Sequence, residues 1–521
     1  MKATLALQQF KKCIILFMIG IGCSFLTYMI YIIDPMTMIL KYNLQMAPHS
    51  FLFKMWQKPN VDVYLKIYIF NITNPIEFLS GKEKLKLQEI GPYVYQEYIV
   101  NDNITFNDNN TMSYIPRRTV VYVPEMSVGD PMEDIVNVPN VPYLGILSAL
   151  SDAGFIVNYP IVQLANLMNT KPILNISVYD YLWGFEDSLI KLASRMMPNF
   201  IDFLKFGLLD RLYDEGENIV TINLQKNADM VEEKGRYLSI DKYNGNPGMA
   251  QWGYIETEGN ETREENTKCN ILQGATEGIV FPSYIDKRAI FRIYRKAFCR
   301  PLPIIFRKEI WTDNGLPGYL YTLTDDFASP PDQNPDNECF CRKMKTCLKK
   351  GLINLTPCYY NYLITKEFLR IAYEERLKTV GMPILFHSRM QTNLIMNRLR
   401  YNSKIAAFSD ITIPLFWFDL SITSLSTYLT IILKLELRIL PIAQIIFMYL
   451  LGIIGVMTLM LSLISIVWIL NQPQQQEQEM IKNNDNSDLR VPLYNGHYTS
   501  INIVSPLKKI ASQSYLTDYY N

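Results

Sequence analysis

Cysteine and histidine are the residues of this 521-residue chain with the most chemistry to offer. Six of the eight cysteines, Cys269, Cys299, Cys339, Cys341, Cys347 and Cys358, share one stretch, and Cys13 and Cys23 lie in an apolar segment near the N-terminus. An even number clustered this way points to disulfides and an oxidising compartment. In a reducing compartment the same residues would read as metal ligands or free thiols, but Cys339-x-Cys341 followed by Cys347 departs from the paired C-x2-C spacing of zinc sites. Spacing leaves about 15 pairings open to six cysteines. His49, His387 and His497 are too few for a multi-histidine metal centre. No H-E-x-x-H, G-x-S-x-G or phosphate-loop pattern occurs, so the chain reads as a non-enzyme that needs no cofactor.

The second chemical feature is basic. Lys287, Arg288, Arg292, Arg295, Lys296, Arg300, Arg307 and Lys308 follow one another without an acidic residue, and Arg342, Lys343, Lys345, Lys349 and Lys350 crowd the last cysteines. Such a run predicts a cationic surface for anionic ligands, with Arg292 and Arg295 as its candidate binding residues. The plainer alternative is solvated strand faces paired with the acidic stretch 256–265. Lysine plus arginine balances aspartate plus glutamate at 50 each, so composition gives no reason to expect nucleic acid.

Two segments are long and apolar enough to cross a bilayer, 13–33 and 439–470. The first is too long for a typical signal-peptide core and lacks a clear small-x-small cleavage site, so it reads as a retained anchor. Lys2, Lys11 and Lys12 precede it without an acidic residue, which favours a cytoplasmic N-terminus. The N-glycosylation sequons at Asn71, Asn103, Asn109, Asn175, Asn260 and Asn354 all fall between the two segments. The expected organisation is therefore a cytoplasmic N-tail (1–12), a transmembrane helix (13–33), a lumenal or extracellular domain (34–438), a second transmembrane helix (439–470) and a disordered cytoplasmic tail (471–521). Both termini then face the cytoplasm.

Within the first span, Gly20 and Ser24 form a small-xxx-small pair that lets another helix approach, although ordinary membrane composition explains it equally. Residues 61–70, 93–100 and 118–124 read as strands. From 134 to 206 the spacing turns helical, with Pro160 and Pro198 expected to break the helices. Leu164, Leu167, Met168, Leu189, Leu192 and Met196 there suit either a partner surface or plain packing, and packing is the simpler reading. Strand-like segments resume near 218 and run through the cysteines. In the tail, Tyr498-x-x-Ile501 fits an endocytic signal that adds as an extended peptide to an adaptor's sheet edge.

Several motifs then resemble one family. NITNPIEFLSGKEKLKLQEIGPYVYQEY (71–98), LWGFED (182–187), CNILQGATEGIVFPSYIDK (269–287), FASPPDQNPDNECFC (327–341), RMQTN (389–393) and IPLFWFDL (413–420) are similar, in order, to segments of the class B scavenger receptors. That resemblance implies an α+β membrane protein: a β-barrel-like lumenal domain with an apical helical bundle at 134–206 and an internal hydrophobic tunnel, held between two transmembrane helices. It implies the disulfides Cys269–Cys339, Cys299–Cys358 and Cys341–Cys347 in the region 269–358. It also suggests Lys171 as a cation near the ligand entrance. One departure stands out, because the chain is short between Cys358 and Gly381 and lacks the family's P-H-F motif. In its place KEFLRIAYEERLK reads as a helix of alternating charge.

The function expected from this is a cell-surface scavenger receptor that binds lipoproteins, fatty acids or other anionic lipids and transfers lipid to the plasma membrane, with homo-oligomers and an endocytic adaptor as further partners. A lysosomal or endosomal receptor that traffics a protein cargo is the alternative. A ligand-gated channel is remote, since neither span carries an ionisable residue to mark an ion path.

Overall fold

The computed structural model describes residues 2–484 apart from 152–153, 197–202, 214–216, 226–234, 258–262, 284, 313–314, 342–346, 359–363, 368–372, 378–380, 382 and 400–402. The chain forms two compact units, one from Pro35 to Ala443 and one from the terminal segments up to Asp34 and from Gln444.

The larger unit is organised by alternation. Val63, Leu65, Ile67 and Ile69 are buried on one face of the strand Val61–Ile72, while Asp62 and the residues between them stay on the other. That strand sits inside a 13-stranded sheet, between Thr412–Leu425 and Leu87–Asn107. Beyond Leu87–Asn107 come Thr111–Tyr122, Val220–Asn223 and Ile240–Tyr243. In the other direction lie Pro383–Ile395, Tyr373–Leu377, Pro317–Leu323, Leu302–Trp311 and Phe291–Ile293, and Leu352–Asn354 with Ile364–Glu367 joins as a side branch. Gly91 lies opposite the register shift at Ile67–Ile69, where a Cβ would stand 2.5 Å from the Ile67 carbonyl oxygen, so the two strands approach this closely only over a glycine.

The two outer strands of that order do not end as open edges. Ile240 N–H donates to the Ala275 carbonyl (2.7 Å), Thr276 N–H to the Arg292 carbonyl (2.7 Å), and Tyr294 N–H to the Thr276 carbonyl (2.8 Å). The segment 274–276 thus satisfies backbone groups of both outer strands, which would otherwise be free to pair with another chain. The disulfides Cys269–Cys339, Cys299–Cys358 and Cys341–Cys347 brace this flank, with Cα–Cα distances of 6.2, 5.8 and 5.3 Å.

The stretch expected to be helical contains the helices Val141–Ala149, Phe155–Leu167, Val178–Trp183 and Ser188–Met196, and Leu208–Tyr213 follows just beyond it. Asn140 caps the first by accepting from the Tyr143 N–H, and its amide also donates to the Asp187 carboxylate. Pro160 does not break the second helix as expected but lies inside it. It is close enough to the N-terminus that the carbonyl it leaves without a donor belongs to Ile156, which is 86% exposed and reaches water. Pro198 lies outside the described residues.

Two further expectations are corrected. Residues 364–367 and 373–377 are strands rather than parts of a helix, because each fills a place beside Pro383–Ile395 where backbone pairing outweighs local helix propensity. The tail expected to be disordered from 471 is helical to Asn484, since its glutamines and glutamates are good helix formers that prolong an established helix.

In the smaller unit, Lys2–Ile33 packs against the part of Leu440–Asn484 that belongs to it. The segments 10–43 and 427–470 are long and apolar enough to cross a membrane, their most apolar 18-residue stretches having mean hydropathy 2.3 and 2.6. A Cβ on Gly20 would meet the Leu459 side chain at 2.6 Å, and one on Gly455 would meet the Ser24 hydroxyl at 2.8 Å. The Ser462 hydroxyl donates to the Cys13 carbonyl (3.0 Å). The helix that the small-xxx-small pair admits is therefore the chain's own second span, by the close approach and interhelical hydrogen bonding that hold helices together in lipid.

Candidate functional site

Four neighbouring strands turn alternate side chains toward the same interior. These are Val61, Val63 and Leu65; Glu97 and Ile99; Phe386, Ser388 and Met390; and Phe418, Leu420 and Ile422. Together with Ile293, Leu302, Ile304 and Leu323 from the disulfide-braced side, they line two adjoining cavities of about 80 and about 50 Å³. Glu97, Arg295, Phe298 and Leu420 line both and so form the wall between them. Walls of this kind bury apolar ligand and hold it with few polar groups.

The polar groups are concentrated at that wall. Glu97 is 3% exposed; one carboxylate oxygen lies 3.8 Å from the Arg118 Nε, and among the described residues the other has no protein hydrogen-bond partner. The Tyr114 hydroxyl donates to the Glu277 carboxylate, which faces the larger cavity. Burial, reinforced by the Glu277 charge, holds the Tyr114 phenol well above its ordinary range.

Of the residues expected to bind ligand, Arg295 reaches this interior. Arg292 is corrected: it is buried, not part of a cationic surface, and its guanidinium donates to the carbonyls of Lys268 (3.0 Å), Ile271 (2.9 Å) and Gln273 (2.8 Å). Alternation explains the exchange, since Phe291 and Ile293 face inward and Arg292 must face the cysteine loop. Lys171 is exposed and lines neither cavity; its carbonyl accepts from the Asn140 amide. Part of the basic run is partnered locally, Lys287 with Glu309, Arg288 with Asp286 and Arg307 with Asp325. Glu97 and Glu277 were not anticipated. A signal for Glu97 existed, because in YVYQEYIV it occupies the same alternate register as Tyr93, Tyr95 and Ile99, a lone charge among inward positions.

The sequons separate by exposure. Asn103, Asn109 and Asn175 are exposed, and Asn71 is half-buried with its side-chain oxygen accepting from the Asn137 N–H. Asn354, by contrast, is 7% exposed, and its side-chain oxygen accepts from the Thr356 N–H. Asn260, Tyr498 and Ile501 lie outside the described residues. The apolar helix residues also divide: Leu189 is buried, while Leu167 and Met196 stand out at 84% and 72% exposed.

The sequence profile of the CD36 family matches residues 13–365 and 376–466. The chain belongs to the CD36 family. The break at 366–375 falls inside the segment that departs from the family's pattern. The chain is 26% identical to scavenger receptor class B member 1 of Sus scrofa over 399 residues, covering 72% of this chain and 74% of that protein. The Rattus norvegicus protein of the same name is 25% identical over 429 residues, 77% of this chain and 79% of the relative. Lysosome membrane protein 2 of Homo sapiens is 29% identical over 312 residues, 59% of each chain. Within the family the chain keeps a sheet-rich middle, two terminal candidate membrane helices and the three disulfides.

Proposed function

We propose that this CD36-family protein is a cell-surface scavenger receptor, both termini cytoplasmic, that captures lipoproteins, fatty acids or other anionic lipids and passes lipid through its lumenal domain to the bilayer. The observation that carries the reading is the pair of adjoining apolar cavities on the inward faces of a sheet whose outer strands are bridged by 274–276. In this reading the sheet acts as a barrel, the cavities are stations of one tunnel, and the wall at Glu97 and Arg295 holds the polar end of the cargo. Transfer is passive, because cargo moves from one apolar surrounding to another. No catalytic step is assigned.

The test uses the full chain in cells. Val63→Trp fills the larger cavity at an overpacking cost of about 1–3 kcal/mol and should cut uptake of lipoprotein-borne fluorescent lipid roughly tenfold while the protein still reaches the surface. Unchanged uptake overturns the tunnel. A second reading, an endosomal or lysosomal receptor for a protein cargo, draws on the likeness to lysosome membrane protein 2 and on Phe155, Ile156 and Leu167, which leave one helix with an exposed apolar face. Steady-state staining of lysosomal membranes, with no lipid uptake in wild type, would favour it.

A further inference from the structure

Arg300 follows Cys299 directly, and its side chain is buried at 4% exposed. The guanidinium lies over the Phe340 ring, 4.1 Å from the centroid, which covers one face of the cation but accepts none of its in-plane N–H donors. Among the described residues Arg300 makes no ion pair, and its Nε has no protein hydrogen-bond partner. Burial alone pushes the guanidinium down to about 9, with no neighbouring carboxylate to offset it. A buried, unpaired charge is among the most costly arrangements in a protein, so this one needs a counter-charge.

The surroundings narrow what that counter-charge is. Arg300 lines a hollow of about 30 Å³ beside the Cys341–Cys347 disulfide, together with Ser329, Asn337 and Phe340. The Ser329 hydroxyl is also buried and, among the described residues, without a protein partner. The Asn337 amide is already engaged, donating to the Ser329 carbonyl (2.8 Å) and the Phe327 carbonyl (3.2 Å). The carboxylates nearest in sequence to this lining, Asp332, Asp336 and Glu338, make no ion pair with Arg300 among the described residues. A water needs about 10–15 Å³ of such space, so the hollow has room for one small ion.

We propose that Arg300 and Ser329 hold a monatomic anion, a halide, in this hollow, where it neutralises the buried guanidinium. The proposal is independent of lipid transport. Thermal unfolding of the full chain in detergent should shift upward and saturate as chloride replaces gluconate at constant ionic strength. Arg300→Met should lose that response, and Ser329→Ala should need about tenfold more chloride, as expected for one hydrogen bond to a charge. Crystals grown in bromide should show an anomalous peak within hydrogen-bond distance of both side chains. Equal midpoints for wild type in chloride and gluconate, an equal chloride response in wild type and Ser329→Ala, or a water that bromide does not replace would each overturn the proposal. The wild-type titration and Ser329→Ala decide the matter even where Arg300→Met fails to fold.

Discussion

The two faces of the strand Thr412–Leu425 meet different surroundings. Inward, Phe418, Leu420 and Ile422 line cavities, and Glu97, a carboxylate that reaches the same space, keeps an oxygen without a protein donor among the described residues. Outward, the Trp417 ring stacks on Tyr68 at 4.0 Å, its indole N–H donates to Glu89, and Asp419 sits between Arg389 (3.2 Å) and His387 (3.6 Å). These outward pairs are dictated by register, since Tyr68 lies opposite Trp417 and Arg389 opposite Asp419. Polar groups matched within the protein contribute to the fold, whereas a polar group left facing a cavity is available to a ligand. Stability and transport should therefore respond to different faces.

The largest test of that division is Arg292, which faces away from the cavities. Arg292→Met removes three charge-assisted bonds and strands the carbonyls of Lys268, Ile271 and Gln273, so unfolding should become easier by about 3–5 kcal/mol. Chemical denaturation of the purified chain checks it, and a loss below about 1 kcal/mol would contradict the bracing role. Tyr68→Ala forfeits the stack on Trp417 and should cost about 1 kcal/mol in the same assay, with lipid uptake unchanged.

Asp419 provides a pH-dependent test. Burial alone would raise its carboxyl, but the nearby His387 imidazole and the hydrogen bond from Arg389 outweigh burial and leave it below the usual range. A depressed folded value means stability that is complete above the unfolded value of about 3.9 and lost as pH falls through the folded value. The stability gap between wild type and Asp419→Asn should thus be full at neutral pH and close below about pH 4, as read from unfolding midpoints across pH. The smallest stability effect belongs to the inner face. Glu97→Gln removes the charge that faces Arg118 at 3.8 Å, too long for a hydrogen bond, so it should change unfolding by about 1 kcal/mol at most, yet it should lower lipid uptake. A variant that loses stability and keeps uptake would reverse the comparison.

Much of this architecture was legible along the chain. Alternation in VDVYLKIYIF marked a strand, the uncharged runs marked two spans, and the order of motifs pointed to a family. Less of the site was legible, for reasons visible at single residues. Arg292 and Arg295 are three positions apart in one basic run, and nothing in that run distinguishes a cation that braces a loop from one that lines a cavity. The separation depends on which strand face each occupies and on what the cysteine loop presents to it. Residues 366–378 carry a helical charge pattern, yet the segments of 364–377 that flank Pro383–Ile395 pair as strands, because pairing partners are a property of the assembled sheet.

The sequence by itself determined the elements whose signals are local: the strand period, the membrane spans, the sequons and the oxidising compartment implied by clustered cysteines. Only the tertiary structure decided which charges are spent inside the protein and which face open space. Burial and hydrogen-bond satisfaction depend on residues far apart in the chain, as Glu97 with Arg118 and Arg292 with Gln273 do, and no local pattern encodes that distance.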